Sequence, residues 1–212
     1  VEVDPATRES RLNYRFMVSA IAPRPIAWVT TVDPSTGVVN AAPFSWFQAV
    51  CGDPPMLMLS IQRRDDGSPK DTVRNIRATG EFVVNASPKS LAAQMVQTSG
   101  EYGPEVSELA EVGLATAPSR KVRPPRIAAS PVHLECRLHQ ELQLGRDGDT
   151  SLILGEVVHF AADDAVLDAR GNVDPRKLVF VARLGGMEYV DTGSVFSMKR
   201  PTQDDLLRGS GA

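Results

Sequence analysis

The chain has 212 residues, 42% of them hydrophobic and 23% charged, with a net charge of −3 at pH 7. This is the balance of an ordinary globular protein, and it excludes a disordered chain, a collagen-like repeat and a disulfide scaffold. The slight acidity argues against a nucleic-acid binder, and no run approaches the roughly 20 uninterrupted apolar residues of a membrane span.

The opening VEVDPATRES is polar and acidic, so no signal peptide is expected. With 16 Gly, 16 Pro and only 6% aromatics, many turns and short strands are predicted. Cys51 and Cys136 lie too far apart to be a local ligand pair. Both are expected to be buried small hydrophobes, which fits a cytoplasmic protein. His133, His139 and His159 form no metal cluster by spacing, and no metal site is expected.

In chain order, Leu12, Phe16, Met17 and Ile21 recur at roughly helical spacing and predict a short helix over 8–20. Pro23 and Pro25 end it. The β-branched run 26–32 reads as a strand, 33–37 as a turn, and 38–45 as the returning strand of a hairpin. Pro43 within that strand implies an edge, a bulge or an exit from the sheet. Pro54 and Pro55 open an apolar strand over 56–62, followed by a polar loop over 63–67. Ser68 as N-cap, Pro69 at the first helical position and Asp71 at the capping-box position predict a helix to Thr79, stopped by Gly80. A strand follows over 81–85. Ser87-Pro88 repeats the cap signature and predicts a helix to Gln97.

Residues 101–130 hold an acidic segment, a short helix over 107–112 and the run KVRPPRI, and read as a surface excursion. Residues 131–144 alternate, with Val132, Leu134, Cys136 and Leu138 on one face and His133, Glu135, Arg137 and His139 on the other. A turn over 146–149 leads into a strand over 152–161, and 178–182 is the last predicted strand. One domain over 1–201 and a polar, disordered tail over 202–212 are expected. Short strands in hairpins, with two or three helices between them, favour an antiparallel barrel with peripheral helices over a doubly wound sheet. Neither a G-x-G-x-x-G, a Walker A nor a G-x-S-x-G motif is present.

Two stretches carry chemistry. Between Ser60 and Asn75, a strand end with Ser60 and Gln62 leads through Arg63 and Arg64 to a helix start with Lys70 and Thr72. A phosphate dianion needs free N–H groups, a hydroxyl and a cation, which such a segment offers. A solvated loop with a good helix cap is the plain alternative. In NAAPFSWF, at 40–47, small residues let a flat ligand approach the backbone. Phe44, Trp46 and Phe47 can then be its walls, or else core or subunit-interface residues.

PRPIAWVTT at 23–31, a D-x-x-x-G turn, VNAAPFSWF, DPPMLMLSI and KDTVRNI together resemble the flavin reductase-like, FMN-binding split-barrel family. So do KVRPPRI, HLEC at 133–136, LILGEVVHF at 152–160 and F-x-x-x-R-P ending at Pro201. The motifs run in order over about residues 10–201.

The resemblance implies a mainly β, six-stranded antiparallel split barrel with peripheral helices. It also implies a homodimer holding FMN, or FAD, noncovalently near the subunit interface. Trp28, Asn40, Ala41, Ala42, Phe44 and Ser45 would face the ring and ribityl chain. Thr30, Thr31, Arg63, Lys70 and Thr72 would serve phosphate or ribityl oxygens, and Ser60 and Gln62 belong to the same flavin-contacting segments. Asp71 is expected to cap the helix rather than touch an anion. Some relatives carry a His after the Gly-Asp turn, where this chain has Thr150. His159 is then a candidate near the site, or a surface-strand residue.

The implied activity is an NAD(P)H-dependent flavin reductase passing hydride from nicotinamide to flavin N5, with no catalytic acid or base. Its electrons would go to a partner monooxygenase, oxygen or another acceptor. The rival reading is a flavin-binding electron carrier without a nicotinamide site, and the plainest is a barrel that binds no flavin.

Overall fold

The computed structural model describes residues 1–203, so the expected tail from 204 onward lies outside the described residues. The β-branched run forms β1 (Ala27–Val32), which pairs antiparallel with β2 (Val39–Phe44). Asp33 organises the turn between them: its Oδ1 accepts from Ser35 N at 2.8 Å, and Gly37 supplies φ of 76°. Beyond β2 come β3 (Phe47–Gly52), β4 (Pro55–Gln62), β5 (Glu81–Asn85), β6 (Val132–Leu144) and β7 (Thr150–Ala162). They build one seven-stranded antiparallel sheet in the order β2-β1-β5-β6-β7-β4-β3.

The two edges of this sheet, β2 and β3, are separated in the chain only by Ser45 and Trp46. A sheet whose edges are so joined must curl until they meet. The corner is fastened where Ser60 N donates to Trp46 O at 2.9 Å. No ladder joins β2 to β3 among the described residues, so the sheet is curled but open. The expected six-stranded barrel is therefore a seven-stranded open one. The additional strand is β3, whose residues beyond Phe47 are exposed and give no apolar alternation to read.

Apolar residues collect in two clusters. Ala27, Val29, Leu59, Ile61, Phe82, Cys136 and Ile153 fill one, and Ile26, Trp28, Met95, Leu109 and Ile127 the other. Because β1 feeds both, it is buried on both faces, Thr30 and Thr31 included. Helix α1 (Ser10–Ala20) buries only Val18, while α2 (Asp71–Thr79) packs Val73 and Ile76 into the first cluster. Gly80 ends α2 at φ 68°, its N–H donating to Ile76 O at 2.7 Å, as the sequence predicts.

Several expectations are corrected. Ser68 is not the N-cap of α2: its carbonyl accepts from Arg64 N at 2.9 Å, closing the loop, and Lys70 takes the cap position. Ser87-Pro88 opens the expected helical segment to Gln97, but Pro88 rather than Ser87 is the N-cap and the first turn is 3-10. Ser87 O accepts from Val181 N at 2.9 Å, a 3-10 turn spans Lys89–Leu91, and α3 (Ala92–Gln97) follows. Cys51 is exposed on edge strand β3, whereas Cys136 is buried. The segment 101–130 is no excursion, since α4 (Glu108–Glu111) and Ile127 are built into the core side. It covers the second face of β6, where the buried Glu135 carboxylate accepts from Arg120 N and, at 2.7 Å, from Lys121 N. The last strand is shorter than predicted: Val181–Arg183 joins Arg24–Pro25 and Tyr189–Asp191 in a separate three-stranded sheet.

Candidate functional site

The corner where β2 leaves the sheet faces the end of β4 and the start of α2. A cavity of about 280 Å³ there is lined by Asn40, Ala42, Phe44, Gln62, Arg63, Lys70 and Thr72. A smaller one of about 150 Å³ adds Ser45 and Ser60, together with Tyr14, Trp46 and Thr150. The two share Pro43, Phe44, Gln62 and Lys70.

Trp28, Thr30, Thr31 and Ala41 line neither cavity. Trp28 is fully buried and donates from Nε1 to Thr98 Oγ1 at 2.9 Å. Thr30 donates to Pro125 O at 2.6 Å. Strand parity accounts for Ala41: Asn40 and Ala42 point one way, and Ala41 between them points into the second core cluster. Thr31 sits behind the larger cavity, donating to Asn40 Oδ1 at 3.3 Å and accepting from Asn75 Nδ2 at 3.1 Å.

Asn40 is the hub of this buried network. Its Oδ1 also accepts from Thr72 Oγ1 at 2.9 Å, and its Nδ2 donates to Glu108 Oε1. Glu108 Oε2 accepts from Ala41 N at 2.8 Å. With neutral donors as its nearest partners, the buried Glu108 carboxyl is raised above its ordinary pKa, chiefly by desolvation. No local pattern marks this residue, because its contact with Asn40 spans 68 positions.

One end of the cavity gathers Arg63, Arg64 and Lys70, with Asp65, Asp71, Glu101 and Glu108 also in the lining. Among the described residues, Arg63 and Lys70 make no ion pair. The Lys70 side chain does not cap α2, leaving first-turn N–H groups to face an anion. Asp71 does not cap either. It is the first helical residue, bound to Arg64 and, at 2.5 Å, to Arg74, so its charge is offset. The other end is aromatic: Tyr14 of α1 stacks on Trp46 with centroids 6.3 Å apart and planes 4° from parallel. Tyr14 is a second residue that the sequence did not single out.

Thr150 lines the smaller cavity, so the position where some relatives have His carries a hydroxyl here, donating to Asp149 Oδ1 at 2.9 Å. His159 is not near the site. It lies roughly 30 Å further along β7 at ~3.3 Å per residue, paired in register with Glu135.

Residues 19–183 match the flavin reductase like domain, and the chain belongs to that family. An uncharacterized protein of Halalkalibacterium halodurans is 39% identical over 95% of this chain and 97% of its own. Nitrilotriacetate monooxygenase component B from Bacillus cereus superposes with a TM-score of 0.88 at 32% identity, covering 93% of this chain and 98% of that one. The 2-nitrobenzoate 2-nitroreductase NbaA of Pseudomonas fluorescens gives 0.86 at 28% identity, covering 96% and 98%. No helix among the described residues is long and apolar enough to cross a membrane.

Proposed function

We propose that the chain binds FMN noncovalently across the two corner cavities and acts as an NAD(P)H-dependent flavin reductase. The observation that carries this reading is the polarity of the site. Arg63 and the uncapped start of α2 stand at one end, Trp46 and Tyr14 at the other, and Lys70 and Phe44 line both cavities between them. A phosphate-bearing ligand with a flat aromatic ring matches that division, and the residues present fit it. Arg63, Lys70 and the α2 N–H groups would hold the phosphate. Ser45, Ser60 and Gln62 would bond the polar ring edge and ribityl oxygens, with Ala42 leaving room for the ring.

Thr72 donates its hydroxyl proton to Asn40, so towards an anion it contributes its place rather than a donor. Asn40, held by Thr31, Thr72 and Glu108, keeps one amide orientation at the cavity wall. Bound flavin supplies the hydride and electron chemistry, while the protein supplies position and electrostatics. FAD is accommodated only if its adenylate leaves the corner.

The Bacillus cereus neighbour, a monooxygenase component by name, supports transfer of reducing equivalents to a partner monooxygenase. The exposed Phe16 and Met17 of α1 and Ile21 just beyond it support a homodimer, since a second copy would cover them. The binding claim is tested by titrating wild type and Lys70→Ala with FMN and riboflavin. Losing a charged hydrogen bond should weaken FMN binding by ~1.5–3 kcal/mol and leave riboflavin nearly unchanged. Equal losses for both ligands, or no flavin uptake by wild type, contradict the reading.

A further inference from the structure

Beside the flavin corner lies a larger cleft of about 480 Å³. It touches the corner through Pro43, Ser45 and Tyr14. Arg11, Tyr14, Arg15 and Val18 recur on one face of α1 and form one wall. Arg24 and Arg183 stand in the same lining, which contains no Asp or Glu.

The four guanidinium groups are not equivalent. Buried Arg24 spends its donors on the carbonyls of Ile21 at 3.1 Å, Leu184 at 2.9 Å and Val18, and on Ser45 Oγ at 3.4 Å. Arg183 donates to Gly186 O at 2.6 Å and to the Tyr189 hydroxyl, and lies 4.5 Å above the Tyr189 ring. Both are anchored parts of the scaffold. Arg11 and Arg15 are exposed, and among the described residues neither forms an ion pair. Four like charges around one concave surface repel one another and concentrate a positive potential there. A guanidinium fork fits phosphate oxygens two at a time. Val18, Ile26 and Met95 add an apolar wall suited to a base.

We propose that this cleft holds the phosphate-bearing, nucleoside diphosphate part of the nicotinamide dinucleotide, gripped by Arg11 and Arg15, while the nicotinamide end reaches the adjoining flavin corner. This rests on the reductase reading. A dinucleotide is long enough to lie across both sites, whereas a short anion would leave most of the cleft unfilled.

The test uses the FMN-loaded protein and Arg11→Ala/Arg15→Ala. Flavin reduction is followed with NADH, with NADPH and with the uncharged donor 1-benzyl-1,4-dihydronicotinamide, and ADP binding is measured by calorimetry. The double variant should raise the KM for both dinucleotides at least tenfold, with the KM for the uncharged donor moving less than twofold. ADP affinity should fall at least tenfold. Unchanged dinucleotide KM, or an equal rise for charged and uncharged donors, overturns the cleft assignment and leaves the reductase reading standing. If wild type accepts no nicotinamide at all, the reductase reading fails and ADP decides alone. Binding that is lost in the double variant upholds a nucleotide-phosphate site, and absence of binding overturns it.

Discussion

His133 shows how one buried side chain couples this fold to pH. Asn85 Nδ2 donates to Trp28 O at 2.9 Å, which turns Asn85 Oδ1 toward Ile127 N and His133 Nδ1, each 2.9 Å away. Nδ1 must therefore carry the proton of a neutral imidazole. Burial, aided by the charge of Arg126, pushes the His133 pKa from 6.5 down to about 4. Between those values the unfolded chain binds a proton that the folded one refuses. Stability therefore falls as pH drops from 6.5 toward about 4, with no further loss from this group below that. Urea unfolding at pH 7 and pH 5 should show wild type losing about 2 kcal/mol more than His133→Gln. Equal losses in the two proteins would contradict this account. The sequence placed His133 on the polar face of its strand, where a water-facing residue would keep its ordinary pKa. The covering segment 115–130 makes the difference, and only a long-range contact reveals it.

At the scale of elements, β7 depends on Gly155. It sits at a bulge in the ladder with β6, and a Cβ there would lie 2.9 Å from Cε1 of the fully buried Phe82 ring. Gly155→Ala should cost about 1–3 kcal/mol through overpacking, read as a lowered thermal midpoint. An unshifted midpoint would show that the ring can move aside.

The elements legible in the sequence were those with strong periodicity and turn residues: the β1–β2 hairpin, β4, β5, the β6–β7 hairpin and the glycine end of α2. Strand β3 was not legible, because an exposed edge strand carries no apolar alternation. The start of α2 was misplaced because loop closure claimed Ser68, and two guanidinium groups claimed Asp71. Within the candidate site, Phe44, Arg63 and Lys70 were legible from their motifs. Contiguous motifs, however, ignore strand parity, so Trp28 and Ala41 were named with their neighbours although their side chains enter the core. Glu108 and Tyr14 meet the site only through folding and left no local sign.

For the whole molecule, curling of the sheet creates the site. Joining edge strands β2 and β3 through Ser45 and Trp46 brings the aromatic corner opposite the start of α2. The arginine cleft opens beside it on the α1 side. The curled sheet thereby sets Arg63, Lys70 and the start of α2, the Tyr14–Trp46 pair and the arginine-lined cleft side by side. The most direct test is to load the protein with FMN, exclude oxygen and mix it with NADH or NADPH while recording the flavin absorbance. The account predicts rapid bleaching of the bound flavin, with the faster donor identifying the physiological nucleotide. A flavin spectrum that persists with both donors, yet bleaches on adding dithionite, would contradict a reductase and leave an electron carrier.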